Sequence, residues 1–240
     1  QIQIPLPPIE VQQQIVDELE GYQKIIDGCR QVVENYKPTI DIDPSWEMVE
    51  LASALSNISN GSNYSSDQVG KGTKVLSVKD FDETSIFIST SNCQRVELTS
   101  AELERKAVHE NDILVVRSSG SDKKVGMSVL VPKLSEKVGF NGFLIKLTAN
   151  SEKLNPYFLC SLLRTDQYRK LISGGANKVN INNVSQDTLK SLLVPLPSLS
   201  KQNKIVTSIK QETALVDGSQ KLIDIYTKKI QDTISKLWGS

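Results

Sequence analysis

The sequence predicts an α+β chain in which a twisted-sheet domain lies between two long helices that pair antiparallel as a coiled coil. A Pro-rich segment running into a heptad pattern occurs twice, at an offset of 190 residues. The stretch between the copies is made of short apolar runs broken by Gly, Asn, Ser and Asp. The two copies also carry opposite net charge. A long gap-free repeat implies that both ends of the chain adopt the same local structure, and the change of texture between them marks a separate domain.

The first element covers residues 1–44. Its lead-in, Pro5-Leu6-Pro7-Pro8-Ile9, cannot be helical, because proline lacks a backbone donor and holds the preceding residue extended. Ile15, Leu19, Tyr22, Ile26, Cys29, Val33 and Tyr36 then follow at 4-3-4-3-4-3 spacing. That is the signature of a helix packed along another helix. About 30 residues at 1.5 Å each give roughly 45 Å of helix.

The middle element, residues 45–190, is expected to form a twisted sheet with one or two helices. Lys74–Val78, Ser85–Ile88, Asp112–Val116, Gly126–Val131 and Phe143–Leu147 read as strands. Asn155-Pro156 reads as a helix cap with proline in the first turn, opening a single helix from Tyr157 to Leu171 that stops before Gly174-Gly175.

The last element, residues 191–240, repeats the first. Pro195-Leu196-Pro197-Ser198-Leu199 answers the opening segment, Gln202 answers Gln12, Ile205-Val206 answers Ile15-Val16, and Tyr226 answers Tyr36. Its seam would be Ile205, Ile209, Glu212, Val216, Ser219, Ile223, Tyr226 and Ile230, weakened at Glu212 and Ser219. Ile15, Leu19, Ile26 and Val33 are expected to pair with Ile205, Ile209, Val216 and Ile223. Gly28 and Gly218 recur at one position, each costing about 1 kcal/mol against alanine in a helix, which suggests close packing or a bend. Residues 1–44 hold 3 basic and 8 acidic groups, and residues 191–240 hold 7 and 4, so opposite fields favour pairing of the copies. The alternative is that each helix merely covers the middle domain.

The 28 basic and 28 acidic residues cancel, but local distribution and not the total decides whether nucleic acid binds. Basic groups gather in two loops. Arg117–Lys124 reads RSSGSDKK, and Lys170–Asn183 reads KLISGGANKVNINN with no acid. Small polar residues with Arg and Lys suit phosphate and base-edge contacts, and Asn180, Asn182 and Asn183 suit adenine edges. The same composition also suits ordinary solvated turns.

Other chemistries find little support. Cys29, Cys93 and Cys160 are scattered and odd in number, against both a metal site and a disulfide framework, and fit reduced cytosolic thiols. No 18-residue apolar run spans a membrane. His109, the one histidine, lies in a polar surface turn without a triad partner. Asn155-Pro156-Tyr157-Phe158 is similar to the NPPY-type loop of adenine methyltransferases but lacks its second proline and a preceding Gly-rich cofactor loop. Gly70-Lys71-Gly72-Thr73 lacks the spacing of a phosphate-binding loop, and Asp80 and Asp82 read as solvated turn carboxylates. No catalytic, cofactor or metal residues are assigned. The opening at Gln1, straight into an apolar-Pro segment, suggests a piece of a longer chain.

The repeated segments IPLPPIEVQQQIV and VPLPSLSKQNKIV, each leading into a long helix, resemble the conserved regions of type I restriction–modification specificity subunits. Gln12 and Gln202 hold that pattern's glutamine. Trp46-Glu47-Met48-Val49-Glu50-Leu51 followed by Gly61 resembles the opening of the family's target-recognition domain. Leu76-Ser77-Val78-Lys79-Asp80 and Asn111-Asp112-Ile113-Leu114 resemble its strand motifs, and Gly174-Gly175 through Ile181-Asn182 its closing loop. The resemblance implies a non-catalytic cytoplasmic protein, bacterial or archaeal, without its own cofactor. It would read one half of a split site in double-stranded DNA and dock methyltransferase subunits and a nuclease-motor subunit. Showing one recognition domain, it would be the C-terminal half of a full subunit or a half-length form that dimerises on an inverted repeat. Loop composition nominates Lys79, Arg117, Ser118, Lys123, Lys124, Lys178, Asn180, Asn182 and Asn183 for DNA contact. The rival reading is a coiled-coil scaffold that binds only protein, marked by an apolar patch and no salt-dependent DNA affinity.

Overall fold

The computed structural model describes residues 6–121, 123–174 and 183–237. In chain order its elements are α1 (Ile9–Asn35), β1 (Met48–Glu50), β2 (Leu55–Asn60), β3 (Val69–Leu76) and β4 (Gln94–Val96). Then come α2 (Ser100–Lys106), β5 (Ala107–Val108), β6 (Ile113–Val116), β7 (Ser128–Leu130), β8 (Val138–Phe140) and β9 (Leu144–Ala149). α3 (Pro156–Arg164), α4 (Asp166–Ile172), α5 (Gln186–Lys190), β10 (Leu193–Pro195) and α6 (Leu199–Leu237) complete the chain. The chain divides into two compact units, residues 1–38 with 207–240, and residues 39–206. The fold is α+β, as its sequence pattern implies.

In the helical unit α1 runs antiparallel to α6. The rings of Tyr22 and Tyr226 lie 5.3 Å apart, and the Tyr36 hydroxyl donates to Glu212 Oε2 at 3.2 Å, so residue numbers climb on one helix as they fall on the other. Lys229 Nζ covers both rings, 4.6 Å from the centre of Tyr226 and 5.6 Å from that of Tyr22. Exposure drops on α1 at Gln12, Ile15, Leu19, Tyr22, Ile26, Cys29 and Val33, with Ile26 only 3% exposed. On α6 Ile209 is buried, and Val216, Ser219, Ile223, Tyr226 and Ile230 are half-buried. Thr213, not Glu212, fills the turn between Ile209 and Val216, since a charged carboxylate keeps its hydration at the rim of the seam. A Cβ built on Gly28 or Gly218 meets nothing within 4 Å, so close packing does not account for either glycine.

Among its described residues the middle unit holds two four-stranded sheets, β2-β9-β6-β7 and β4-β3-β8-β5, and the pair β1-β10. Neighbours are antiparallel except β3 and β8. The unbroken apolar run Ile113-Leu114-Val115-Val116 forms β6, buried at every position between β9 and β7. Leu76, Phe81, Ile88, Leu114, Met127, Phe140 and Leu144 pack into one core. Buried charge is satisfied there as well. Lys146 Nζ donates to the Ala107 carbonyl at 2.7 Å and lies 3.6 Å from Asp112, whose carboxylate also accepts from Thr148 Oγ1 at 2.6 Å and the His109 backbone N–H at 2.8 Å.

Two elements depart from the expected pattern. Ser85–Ile88 is not a strand. The Ser85 hydroxyl donates to the Phe87 carbonyl at 2.8 Å, so the segment turns locally and meets β7 at one isolated bridge, Phe87 to Leu130. The expected single helix Tyr157–Leu171 is two, because Thr165 adopts extended geometry (φ −63°, ψ 149°) and its side chain caps α4.

Gln202 is a side-chain latch within this unit. Its amide nitrogen donates to the Pro197 carbonyl at 2.7 Å and the Lys153 carbonyl at 2.9 Å, and its oxygen accepts from the Asn155 backbone N–H at 2.8 Å. Asn155 in turn caps α3, its Oδ1 accepting from the backbone N–H groups of Tyr157 and Phe158 at 2.8 and 3.2 Å.

Candidate nucleic-acid interface

The chain leaves β6 at Arg117 with a row of small polar residues after it. Here two segments distant in sequence meet. Arg117 Nε donates to Asn183 Oδ1 at 3.1 Å, Ser118 and Asn183 form an antiparallel bridge, and the Val184 backbone N–H donates to the Arg117 carbonyl at 2.7 Å. The side-chain bond uses one of the five guanidinium donors. The remaining donors and the Asn183 amide are what phosphate oxygens and base-edge acceptors require.

A third segment supports the junction. The backbone N–H groups of Arg117 and Ser118 donate to the Phe143 carbonyl at 2.8 and 3.4 Å. Phe143 ends the turn Asn141-Gly142-Phe143 between β8 and β9, whose Gly142 N–H donates to the Ser62 carbonyl at 2.8 Å. A Cβ on Gly61 would lie 2.1 Å from the Asn141 carbonyl oxygen, so only glycine admits that approach of the two backbones. The segment Gly61–Ser62, the turn, the end of β6 and Asn183 thus form one hydrogen-bonded edge.

The other nominated residues divide. Lys79 lies in the short helical turn Val78–Asp80, closed by Ser77, whose N–H and hydroxyl donate to Asp80 Oδ2 at 2.8 and 2.9 Å; Lys79 Nζ donates to Gln94 Oε1 at 3.3 Å. Lys124 is half-buried and reaches back to the Val78 carbonyl at 3.5 Å, tying its own loop down. Lys123 is exposed, and its carbonyl accepts from Arg169 Nη2 at 2.5 Å. Lys178, Asn180 and Asn182 lie outside the described residues.

Loop composition did not single out Arg164 and Arg169, because both ride on helices. Arg164 donates to the Ser128 and Glu83 carbonyls at 3.0 and 2.6 Å. Burial first, and then the charge of Arg164, lower the pKa of Arg169. Together they clamp the loops carrying Glu83 and Lys123. Burial also pushes the Cys93 thiol up to about 11 and that of Cys160 to about 12, so neither is a thiolate at neutral pH. Asp82 is held below the usual carboxylate range by the hydroxyl and backbone N–H of Thr84, a turn contact. No helix among the described residues is long and apolar enough to cross a membrane.

Against known proteins, residues 45–224 match the family described as the type I restriction modification DNA specificity domain. The type I restriction enzyme StySPI specificity subunit of Salmonella potsdam is 22% identical over 247 residues, covering 93% of this chain and 53% of that protein. The EcoKI specificity subunit of Escherichia coli K12 is 20% identical over 248 residues, with 93% and 53% covered. The chain thus spans about half the length of these curated relatives. Among solved structures, the HsdS subunit from Thermoanaerobacter tengcongensis has the same fold, with a TM-score of 0.58 and 18% identity over 98% of this chain and 59% of that one. A chain from a study of assembly and conformational transition in a type I R-M system gives a TM-score of 0.61 and 19% identity over 98% and 60%. With three quarters of its length inside the matched region, this chain belongs to the type I restriction–modification DNA specificity family.

Proposed function

We propose that the chain is the non-catalytic DNA-reading part of a cytoplasmic type I restriction–modification complex. Its middle unit reads one half of a bipartite site in double-stranded DNA. Its paired helices dock methyltransferase subunits and a nuclease-motor subunit. The observation that carries the reading of DNA is the junction of Arg117, Ser118 and Asn183, where a guanidinium and an amide are fixed side by side on a hydrogen-bonded edge. Lys79, Lys123 and the segment of Lys178, Asn180 and Asn182 would supply further phosphate and base contacts, while Lys124 is assigned to holding its loop.

Docking is supported by apolar residues off the seam. Ile25 and Val32 on α1 are exposed, and so are their repeat-mates on α6, Leu215 (72%) and Leu222. Two matched apolar strips suit protein partners better than solvent. A homodimer would present two reading units, and light scattering across concentration measures it.

The decisive experiment is duplex-DNA affinity as a function of salt. The slope of log K against log salt is expected to be negative, at about 0.9 for each phosphate neutralised. Arg117→Glu should weaken binding and flatten the slope by about one. Affinity absent at all salt concentrations would favour the protein-only scaffold.

A further inference from the structure

Phe143 is out of place for an aromatic residue. Phe81, Phe140 and Phe158 are buried; Phe87 is 42% exposed but packs edge-on against Tyr157 at 6.1 Å, whereas Phe143 is 58% exposed. Its backbone is fixed nonetheless. The N–H donates to Asn141 Oδ1 at 3.2 Å, and the carbonyl accepts from Arg117 and Ser118. A large apolar side chain is therefore carried on a turn whose backbone is hydrogen-bonded to that of Arg117 and Ser118. The residues bonded to this turn, Arg117, Ser118 and Asn141, carry hydrogen-bonding side chains of the kind that meet nucleic acid. Among base edges, one apolar group is presented for direct contact: the 5-methyl of thymine in the major groove.

We infer that Phe143 is a specificity-determining residue that packs on a thymine methyl, beside the base or phosphate contacts of Arg117 and Asn183. The inference rests on the DNA-reading role proposed above. Turn and ring act together: the turn fixes where the ring stands relative to Arg117, so a preference for thymine would fall at one position of the recognised half-site.

The test uses the whole 240-residue chain. Duplexes are selected from a random-sequence library by the unaltered chain, by Phe143→Ala and by Phe143→Leu. Each thymine of the selected duplex is then replaced in turn by uracil, which removes only the methyl group. The unaltered chain should lose about fourfold in affinity at one uracil, the worth of one buried methyl group. Phe143→Ala should be indifferent to that uracil and select any base at that position, while Phe143→Leu keeps part of the preference. Equal uracil sensitivity of the unaltered chain and the alanine variant overturns the inference, as does a loss by Phe143→Ala that is uniform over all sequences. Retained DNA selectivity with reduced capture of partner subunits overturns it in favour of a protein contact. If the unaltered chain enriches no sequence, the DNA-reading role fails and the inference with it, an outcome distinct from the others.

Discussion

The two copies of the Pro-Leu-Pro segment share that motif, a glutamine and an Ile-Val pair, and end in different surroundings. Both glutamines make the same local bond: Gln12 Nε2 donates to the Pro7 carbonyl at 2.7 Å, as Gln202 Nε2 does to Pro197 at 2.7 Å. Beyond that they diverge. Gln202 is fully buried and also bonds to Lys153 and Asn155, while Gln12 is half-buried. Leu196 is half-buried, whereas Leu6 is 84% exposed. The bend into the helix is thus encoded locally by proline and glutamine, while the stability drawn from it depends on what the segment packs against.

The contrast can be broken most forcefully at the latch. Gln202→Leu leaves the Asn155 N–H and two carbonyls without their partner, and should destabilise the chain by about 3 kcal/mol. Urea unfolding measures this. A shift no larger than that of Gln12→Leu would mean that the buried bonds add nothing. Next come the repeat-mates Ile26 and Val216, one buried and the other half-buried. Ile26→Ala should cost about 2–3 kcal/mol and Val216→Ala about 1, and equal midpoints in thermal unfolding would argue against an asymmetric seam.

Asn155→Ala removes the cap of α3 but keeps the N–H offered to Gln202, for about 1 kcal/mol. Combined with Gln202→Leu, its effect should be smaller than the sum of the two, because both act on one turn. Gly28→Ala and Gly218→Ala should each stabilise by about 0.5–1 kcal/mol, equally in both copies, since the new methyl enters open space. Circular dichroism melts would expose any inequality. The smallest effect is that of Gln12→Leu, about 0.5 kcal/mol or less.

How much of this was legible from sequence follows the physics of each element. The heptad spacing placed Ile15, Leu19, Ile26 and Val33 on one face of α1 because helical periodicity is local. The Asn155-Pro156 cap was legible for the same reason. Glu212 misled because a ladder of fixed spacings does not weigh hydration against position. The short strands β1, β4, β5 and β10 carry too few residues to show a period, and their pairing is long-range. At the proposed interface, loop composition nominates Arg117, Ser118 and Asn183 but does not show that they meet. It does not nominate Phe143, although Asn141-Gly142 between two apolar runs is a turn signal that an aromatic directly follows.

The contacts between the helices have one more consequence. Shifting Tyr22 and Tyr226 by the repeat gives Glu212 and Tyr36, the other observed pair. The helices are therefore related by a local dyad, and the register sets it at Cys29 and Ser219, which are each other's repeat-mates. One chain has internalised the symmetry that other proteins obtain by dimerising. An insertion in either helix then keeps the seam only if the stretch facing it grows by the same count, about 1.5 Å of rod per residue. Whatever distance the pair sets can change only in matched increments, like a gear and not a slide.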